Sequence, residues 1–333
     1  MAATAAPSND NNMNEKKLPI FAAPLQGVTD RVWRMAHHSV FGGVDAYYSP
    51  FMRVERGEVR RKDLRDVAPE NNAGITLIPQ ILACQPDHAL MMVEALRGMG
   101  YDRIDINLGC PFPPIALHRK GSGMLPYPEL VEELFKALAT VEGVTYSVKM
   151  RLGWDQNDQW RTILPLMDII RPCHITVHPR IGKQQYRGEL DMDQFEAFLE
   201  ASPWPVVYNG GIRTAEDIDD IAQRYPTLAG VMIGEGLAAN PGMLAPDAVP
   251  DDYCRFHDML IEGYSEQPNG GDAQLLRRFQ DIWQHFLPRT DRKLLKAIKK
   301  SRKLEAYETA AAAALADVEH ALTAPPEEEE QTL

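Results

Sequence analysis

The chain has 333 residues, of which 44% are hydrophobic and 25% are charged, and its formal net charge is −12. This composition is typical of a globular protein, and the length allows one large domain and a smaller one. The four cysteines show no CxxC spacing, which argues against a disulfide framework or a zinc site and favours a reducing, cytoplasmic setting.

The first segment, residues 1–17, is small, polar and rich in asparagine, and it lacks the apolar centre of a signal peptide or membrane anchor. We predict that it forms a disordered arm. No apolar run in the sequence approaches the roughly 20 residues needed to span a bilayer, so we expect no membrane partner.

Eight short apolar or β-branched runs follow at the spacing of alternating strands and helices, and we predict that each is a strand. The runs are Ile20–Pro24, Asp45–Phe51, Ile75–Leu82, Arg103–Gly109, Thr145–Leu152, His174–Arg180, Pro205–Gly211 and Gly230–Gly236. Helices are predicted between most of them, at Pro86–Gly98 and Pro128–Thr140, which begin with proline, and at Thr214–Gln223, which begins with a Thr-x-x-Asp capping pattern.

These alternating units predict an α/β fold, a closed (β/α)8 TIM barrel over residues 18–249. An open doubly wound sheet is the alternative. It would need a GxGxxG motif after the first strand to bind a dinucleotide, and the sequence has none there.

From residue 250 onward no strand-like run occurs, and we predict a small all-helical C-terminal domain over residues 250–318, followed by an acidic disordered tail over 319–333. The predicted helices are Tyr253–Tyr264, Asp272–Phe286 and Asp291–Ala316. This domain carries a basic cluster between Arg277 and Lys303, although the net charge of the whole chain argues against a nucleic-acid partner. From charge alone, a solvated helix face and a polyanion-binding surface both stay open.

Polar side chains recur at the carboxyl ends of the predicted strands, where barrels place their chemistry. Cys110 directly follows one such strand, between Gly109 and Pro111, ahead of a long loop that ends in RKGSG. A buried free cysteine is usually inert packing, but this position favours a reactive thiol. Lys149 and Arg151 lie two apart on one face of SVKMRLGWD, and a buried lysine needs an anion, a polar cofactor or an acidic partner inside the barrel.

Other polar residues of the same rim are ambiguous when taken singly. Gln80 and His178 could each be hydrogen-bonded core residues. The glycines of Asn209-Gly210-Gly211 and Gly234 could serve tight turns, or they could let backbone amides approach a phosphate at the loops where barrels often bind one.

The ordered motifs of the chain resemble those of the flavin-dependent tRNA-dihydrouridine synthases from about Ile20 to Pro241. The motifs are APLQGVTD, PQIL, DINLGCP, RKGSGML, SVKMRLGWD, ITVHPR, NGGI and GVMIGEGLAANP. The bacterial C group is the closest in resemblance, because PFMRV around Arg53 and QQYRGE around Tyr186 are similar to its tRNA-contacting signatures. The resemblance implies FMN in the barrel mouth, NADPH as electron donor, tRNA as substrate, a tRNA-binding helical domain and a monomer without a stable protein partner.

The resemblance also implies roles for individual residues of this chain. Pro24, Leu25 and Gln26 would touch the flavin ring, Gln80 and Lys149 would hydrogen-bond its polar edge, and His178 would lie nearby. Asn209, Gly210, Gly211, Gly234 and Glu235 would hold the phosphate, mainly through their backbone. Asn107 and Cys110 would face a flipped uracil, and Arg53, Arg151, Tyr186 and Arg278 would contact the substrate tRNA.

The chain departs from the family pattern at three places. Glu235 stands where an arginine is usual, and its carboxylate would repel a phosphate unless it points away. Pro113-Pro114 stands where a lysine often follows the Cys-Pro pair, and His178-Pro179-Arg180-Ile181 replaces the common HGRT. These changes affect the expected substrate contacts and leave the cysteine in place.

The expected reaction is reduction of the C5=C6 bond of a D-loop uridine, with hydride from flavin N5 to C6 and a proton from Cys110 to C5. Resemblance to the C group suggests position 16. Three alternatives stay open: another flavin barrel acting on a free pyrimidine, a Schiff-base aldolase that uses Lys149, and a tRNA-binding protein without catalytic activity.

Overall fold

The computed structural model describes residues 18–267 and 271–323. The predicted N-terminal arm, part of the predicted break at Pro268–Gly271 and the tail from residue 324 onward lie outside the described residues. The strands are β1 (Ile20–Ala22), β2 (Ala46–Tyr48), β3 (Val54–Glu55), β4 (Glu58–Val59), β5 (Leu77–Ile78), β6 (Gln80–Ile81), β7 (Arg103–Leu108), β8 (Thr145–Gly153), β9 (Ile175–Ile181), β10 (Val206–Asn209) and β11 (Gly230–Ile233).

One sheet runs in the order β5-β2-β1-β11-β10-β9-β8-β7-β6, and all its pairings are parallel. Its two end strands, β5 and β6, are halves of one extended segment that is interrupted at Pro79, which has no backbone N–H to donate. The sheet therefore closes on itself as a barrel of eight staves, one at each predicted run. The predicted (β/α)8 barrel is confirmed. The hairpin of β3 and β4 lies outside the barrel sheet.

The helices surround the barrel and continue past it. The α-helices are α1 (Arg31–Val40), α2 (Arg61–Val67), α3 (Pro86–Gly98), α4 (Pro113–Ala116), α5 (Pro128–Leu138), α6 (Trp160–Ile163), α7 (Met192–Ala201), α8 (Ala215–Arg224), α9 (Glu235–Ala239), α10 (Pro250–Ser265), α11 (Asp272–Ile282), α12 (Arg292–Lys300), α13 (Leu304–Leu315) and α14 (Val318–Thr323). Short 3₁₀ turns span Pro69–Asn72, Gly121–Met124, Leu164–Ile169 and Gly182–Gln184.

Local sequence explains where several helices begin. Proline occupies the first turn of α3 and α5, where a missing N–H costs no helical bond. At the start of α8, Thr214 and Asp217 form the predicted capping box, with each side chain accepting a hydrogen bond from the other residue's backbone N–H.

Alternation along β8 separates the two faces of the barrel wall. Val148, Met150 and Leu152 are fully buried and belong to the large apolar core that the wall shares with the outer helices. Lys149 and Arg151 alternate with them and line the barrel mouth. A charged pair thereby faces the interior while the same strand remains anchored by its apolar face.

The helical region differs from the sequence prediction mainly in its last predicted helix, and α11 ends at Ile282 rather than at the predicted Phe286. The predicted helix Asp291–Ala316 is interrupted between α12 and α13, where Ser301 adopts an extended backbone with ψ of 135°. The side-chain amide of Gln280 donates to the carbonyl oxygens of Ile298 and Ser301 at 3.0 and 2.9 Å, which satisfies groups freed by the break. Helix α14 also continues past residue 318, where the acidic tail was expected to begin.

Arg278 ties the helical region to the barrel. Its guanidinium forms an ion pair with Asp30 and hydrogen-bonds the carbonyl oxygen of Gly27 at 2.5 Å, in the loop that follows β1. It also lies over the ring of Tyr264 at 4.4 Å. Within residues 18–267 and 271–323, none of the helices combines the length and apolarity required to traverse a bilayer.

Candidate active site

A cavity opens at the carboxyl ends of the barrel strands, and residues that the sequence places far apart meet in it. Fourteen of the predicted site residues line it: Pro24, Leu25, Gln26, Asn107, Cys110, Lys149, Arg151, His178, Tyr186, Asn209, Gly210, Gly211, Gly234 and Glu235. Parallel strands bring all their carboxyl ends to one rim, so this convergence follows from the confirmed fold.

Cys110 lies at the end of β7, held by contacts on two sides. Oδ1 of Asn107 accepts the backbone N–H groups of Gly109 and Cys110 at 3.0 and 2.8 Å. On the other side, the carbonyl oxygen of Cys110 accepts from Oγ of Ser122 at 2.8 Å. The Gly121–Met124 turn at the end of this loop is therefore packed against the cysteine, while Phe112 and Leu117 earlier in the loop are exposed.

Gly121 makes this packing possible. It has a φ of +58°, and a Cβ added there would come within 2.8 Å of Cβ of Cys110. Enclosure by this segment desolvates the thiol and raises the pKa of Cys110, an effect that the backbone of Phe112 and the charges of Arg151 and Lys149 only partly offset. The thiol is consequently protonated at neutral pH.

Lys149 and Arg151 bring two positive charges to the cavity. Nζ of Lys149 donates to Oδ1 of Asn209 at 2.7 Å, and the Arg151 guanidinium donates to the carbonyl oxygen of Ile181 at 2.9 Å. Desolvation, followed by repulsion from Arg151, lowers the pKa of Lys149 to about 8. Although protein encloses Lys149, its side chain keeps some exposure to the cavity, so a bound group can reach it.

His178 is a neutral imidazole. Burial is the main cause of a pKa far below the ordinary histidine value, and the charges of Arg151, Lys149 and Arg180 lower it further. Nε2 lies 3.0 Å from the guanidinium of Arg180, which can only donate, so Nε2 accepts and the ring proton is on Nδ1. The half-exposed ring of Tyr186 lies 6.4 Å from His178 and 5.4 Å from the Arg151 guanidinium carbon.

Arg180 and Arg213 also line the cavity, and sequence reasoning assigned neither to the site. Arg180 stood within the quoted ITVHPR motif, two residues after His178, and that spacing places both on one strand face. Arg213 follows the NGGI motif directly. With Lys149 and Arg151 they give four cationic groups around the cavity, against the single carboxylate of Glu235.

The glycines after β10 leave space at the rim. Gly210 and Gly211 have φ values of +144° and +69°, in the region that favours glycine. A Cβ at Gly210 would meet Leu190 at 3.0 Å and the His178 ring at 3.1 Å. A side chain at either position would therefore narrow a recess that backbone amides now border. The neighbouring side chain of Glu235 is exposed.

The lining selects for a ligand with negative charge and hydrogen-bond acceptors. Lys149 and Arg151 are enclosed cations, and the hydrogen bonds given above leave most of their N–H groups available. An enclosed charge needs such a partner or water to offset its desolvation. A phosphorylated heterocycle with carbonyl and imide groups, such as FMN, meets this requirement.

Three predicted site residues lie outside the cavity lining. Gln80 is fully buried below it, where its side chain bonds Asp105 and Asn107, both at 2.7 Å, so it does not reach the cavity surface. Arg53 forms an ion pair with Glu55 at 2.8 Å in the hairpin of β3 and β4. Arg278 is occupied in the contact between the helical region and the barrel.

Comparison with known proteins gives one consistent family. Residues 21–327 match the profile of the family described as Dihydrouridine synthase (Dus). The chain is 31% identical over 229 residues to "tRNA-dihydrouridine synthase B" of Pasteurella multocida, covering 67% of this chain and 66% of that protein. It is 32% identical over 269 residues to the "Probable tRNA-dihydrouridine synthase" of Rhizobium leguminosarum, covering 74% and 80%.

A "Probable tRNA-dihydrouridine synthase" of Staphylococcus epidermidis is 28% identical over 287 residues, covering 78% of this chain and 83% of that protein. The match spans about two thirds of the length of the Pasteurella protein and of the relative from Rickettsia conorii. Several relatives carry the B designation in their names, and the predicted resemblance to the C group in particular is not confirmed.

Proposed function

The chain belongs to the dihydrouridine synthase family, and from this premise we propose that it is a flavin-dependent oxidoreductase that reduces the C5=C6 bond of a uridine in tRNA. The observation that carries the proposal is the meeting of Cys110, Lys149 and the glycine-bordered recess in one cavity at the barrel mouth. A protonated thiol, a cationic edge and a recess bordered by backbone amides are the parts that such a reduction requires.

FMN is the proposed prosthetic group. Pro24, Leu25 and Gln26 would border the ring, and Lys149 would donate to its polar edge. The backbone of Gly210, Gly211 and Gly234 would hold the phosphate, with positive charge from Arg180 and Arg213. These two arginines would also compensate for Glu235, which replaces the arginine that is usual in the family, because their positive charges offset its carboxylate.

The chemistry divides between the prosthetic group and the chain. A bound reduced flavin, itself reduced by NADPH, would supply a hydride to C6 of the uracil. Cys110 would donate a proton to C5, since burial keeps its thiol protonated at neutral pH. Arg151 and the Nδ2 group of Asn107 would hydrogen-bond the uracil carbonyls, and Tyr186 would present a ring face to the extruded nucleotide.

The RNA backbone requires a cationic surface next to the cavity, and a candidate surface combines Arg277 of the predicted basic cluster with two cations of the barrel domain that the sequence did not suggest. Lys62 and Arg65 of α2 and Arg277 of α11 are exposed and line a groove between the barrel and the helical region. Asp30 and Arg278 also border this groove, and Arg278 bonds Gly27, the residue after Gln26 of the cavity. A strand of RNA along the groove would thus pass beside the barrel mouth.

The direct test is reduction of tRNA by the purified protein. We expect a yellow protein that, with NADPH and a tRNA transcript lacking modifications, forms dihydrouridine at a defined position. The Cys110→Ala variant is the control for chemistry at the thiol, and free uridine and orotate are the controls for substrate class. Reduction of a free pyrimidine with no product in tRNA would contradict the proposal, as would a protein that binds no flavin.

A further inference from the structure

A continuous chain of hydrogen bonds runs below the cavity from a buried carboxylate to the catalytic cysteine. Oδ2 of Asp105 accepts from Nε2 of Gln80 at 2.7 Å, and Oε1 of Gln80 accepts from Nδ2 of Asn107 at 2.7 Å. Oδ1 of Asn107 then accepts the backbone N–H groups of Gly109 and Cys110. Oδ1 of Asp105 accepts from Oγ of Ser147 at 2.6 Å.

Barrel register produces this alignment. Gln80 pairs with Asp105 between β6 and β7, and Asp105 pairs with Ser147 between β7 and β8. These three residues therefore form one row across neighbouring staves. Asn107 lies two residues further along β7, in the next row toward the cavity. All four side chains are buried, and Gln80 and Asp105 are fully so.

The chain has a fixed direction because each end can play only one role. The backbone N–H groups of Gly109 and Cys110 can only donate, so Asn107 must present its oxygen to them and its Nδ2 to Gln80. Gln80 must then accept through Oε1 and donate through Nε2. Burial raises the pKa of Asp105 to about 6, so its carboxylate is mostly ionised at neutral pH. An ionised carboxylate can only accept, which matches the Gln80 donor and completes the series of hydrogen bonds.

We propose that Asp105 is a positioning residue for the reaction, acting through Gln80 and Asn107 to hold the backbone of Cys110 where its thiol meets the substrate. Asp105 does not line the cavity, so its effect on the chemistry passes through the two amides. This inference rests on the proposed function for its catalytic consequence. Its structural part concerns the placement of Cys110 and can be measured separately.

Two substitutions at position 105 distinguish the effect of the hydrogen-bond series from the effect of packing at this position. Asp105→Leu removes the acceptor for Gln80 and keeps the branched shape of the side chain, although leucine is the larger residue. In Asp105→Asn the side-chain oxygen can face Gln80 and the amide nitrogen can face Oγ of Ser147, which can accept a hydrogen bond. Gln80 then keeps its acceptor, and every hydrogen bond from Gln80 to Cys110 keeps its donor and acceptor. Gln80→Leu interrupts the same series of hydrogen bonds between Asp105 and Asn107. It provides the same test if Asp105→Leu does not fold.

The experiment uses the flavin-loaded protein and two readouts: single-turnover reduction of tRNA, and the rate at which iodoacetamide alkylates Cys110, followed by peptide mass spectrometry to separate it from the other cysteines. For Asp105→Leu and Gln80→Leu we expect unchanged flavin content, reduction slower by on the order of 100-fold, and faster alkylation as the Cys110 backbone is released. The double variant should be no slower than either single variant, because both interrupt one chain. Asp105→Asn should stay within a few-fold of the parent in both readouts.

Parent-like reduction and alkylation in Asp105→Leu and Gln80→Leu would overturn the proposal. Slower reduction with an unchanged alkylation rate would also overturn it, since the effect would then not pass through Cys110. An unaltered protein that reduces no tRNA would instead refute the proposed function, while the alkylation readout would still report on the placement of Cys110.

Discussion

Nζ of Lys149 donates a 2.7 Å hydrogen bond to Oδ1 of Asn209 and so joins the middle of β8 to the carboxyl end of β10 across the intervening strand β9. Nδ2 of Asn209 donates to the carbonyl oxygen of Met232 at 2.7 Å, which fixes the side-chain oxygen toward Lys149. The ammonium is thereby held at the cavity while two of its N–H groups stay available. The same contact spans from the proposed flavin edge to the loop of the proposed phosphate site.

Lys149 gives the first prediction, a pH dependence of flavin affinity. Burial lowers the pKa of this lysine to about 8 in the free protein, so its positive charge is present below that pH and lost above it. We expect the affinity of the flavin-free protein for FMN to fall as pH rises through 8, to about one tenth at pH 9. Fluorescence titration with FMN from pH 7 to 9.5 measures this.

Lys149→Met should bind FMN weakly and with no fall in affinity over that range. Lys136→Met, at an exposed lysine paired with Glu132, is the matched control and should follow the parent. A pH-independent affinity in the parent protein would show that the charge of Lys149 does not contribute to binding.

Cys110 gives the second prediction. Cys110→Ala should keep flavin content and tRNA affinity and lose most of the turnover, on the order of 100-fold or more, because the proposed proton donor is removed while the scaffold is kept. Single-turnover oxidation of the reduced flavin by tRNA measures the step. Cys254→Ala, in helix α10 outside the cavity, is the control and should react as the parent does. Full turnover by Cys110→Ala would end the assignment of the acid.

Gly121 gives the third prediction, with a control that isolates contact from backbone strain. An alanine there would push against Cys110 at 2.8 Å, so we expect turnover to fall on the order of 100-fold with flavin retained. Gly143 also has a positive φ, +76°, but a Cβ there meets nothing within 4 Å. Both alanine variants should lose about 1 kcal/mol of unfolding free energy from strain, and only Gly121→Ala should lose turnover.

Arg278 gives the fourth prediction, which separates its sequence-based role from its structural one. Replacing it with methionine removes the ion pair to Asp30 and the bond to Gly27, so the free energy of unfolding should fall by about 2 kcal/mol. Chemical denaturation measures the loss. The salt dependence of tRNA affinity should stay as in the parent, because this guanidinium is engaged within the protein. If this variant showed a shallower salt dependence of tRNA affinity and an unchanged free energy of unfolding, the result would support the tRNA contact predicted from the sequence.

The basic groove gives the fifth prediction. Replacing Lys62, Arg65 and Arg277 with alanine should weaken tRNA binding and lower the slope of log affinity against log salt by about 1 for each lost phosphate contact. The basic cluster between Arg277 and Lys303 also contains Lys296, Lys299 and Lys300 of α12, and the corresponding triple variant tests that part of the cluster. Arg97→Ala with Lys136→Ala is the control for loss of exposed positive charge elsewhere on the barrel. A larger effect from the α12 variant would move the RNA path to that helix.

The architecture could be predicted from the sequence because the periodicity of apolar residues indicates where strands and helices lie. All eight staves lie where apolar runs predicted them, and α3 has the predicted bounds. Most of the residues that line the cavity could then be predicted, because parallel strands bring their carboxyl ends together at one rim. Periodicity does not show how deep in the barrel an individual side chain lies or which side chain it contacts. Gln80 was expected at the flavin edge, yet its strand register places it one row lower, against Asp105.

Contacts between distant segments account for the remaining differences. Arg278 sits 248 positions from Asp30 in the sequence, and no local pattern could indicate their ion pair. The break between α12 and α13 involves Gln280 of α11, so the interval that reads as one helix is divided by a contact from outside it. Arg180 was accessible to sequence reasoning, because it shares a strand face with His178.

Electron transfer from the flavin to tRNA can be followed by mixing the photoreduced, flavin-bound protein with an unmodified tRNA transcript in the absence of oxygen. We expect that the flavin absorbance returns as tRNA is added and that one dihydrouridine appears in the RNA for each flavin oxidised. Flavin that stays reduced in the presence of excess tRNA, with no dihydrouridine detected, would contradict the proposed function.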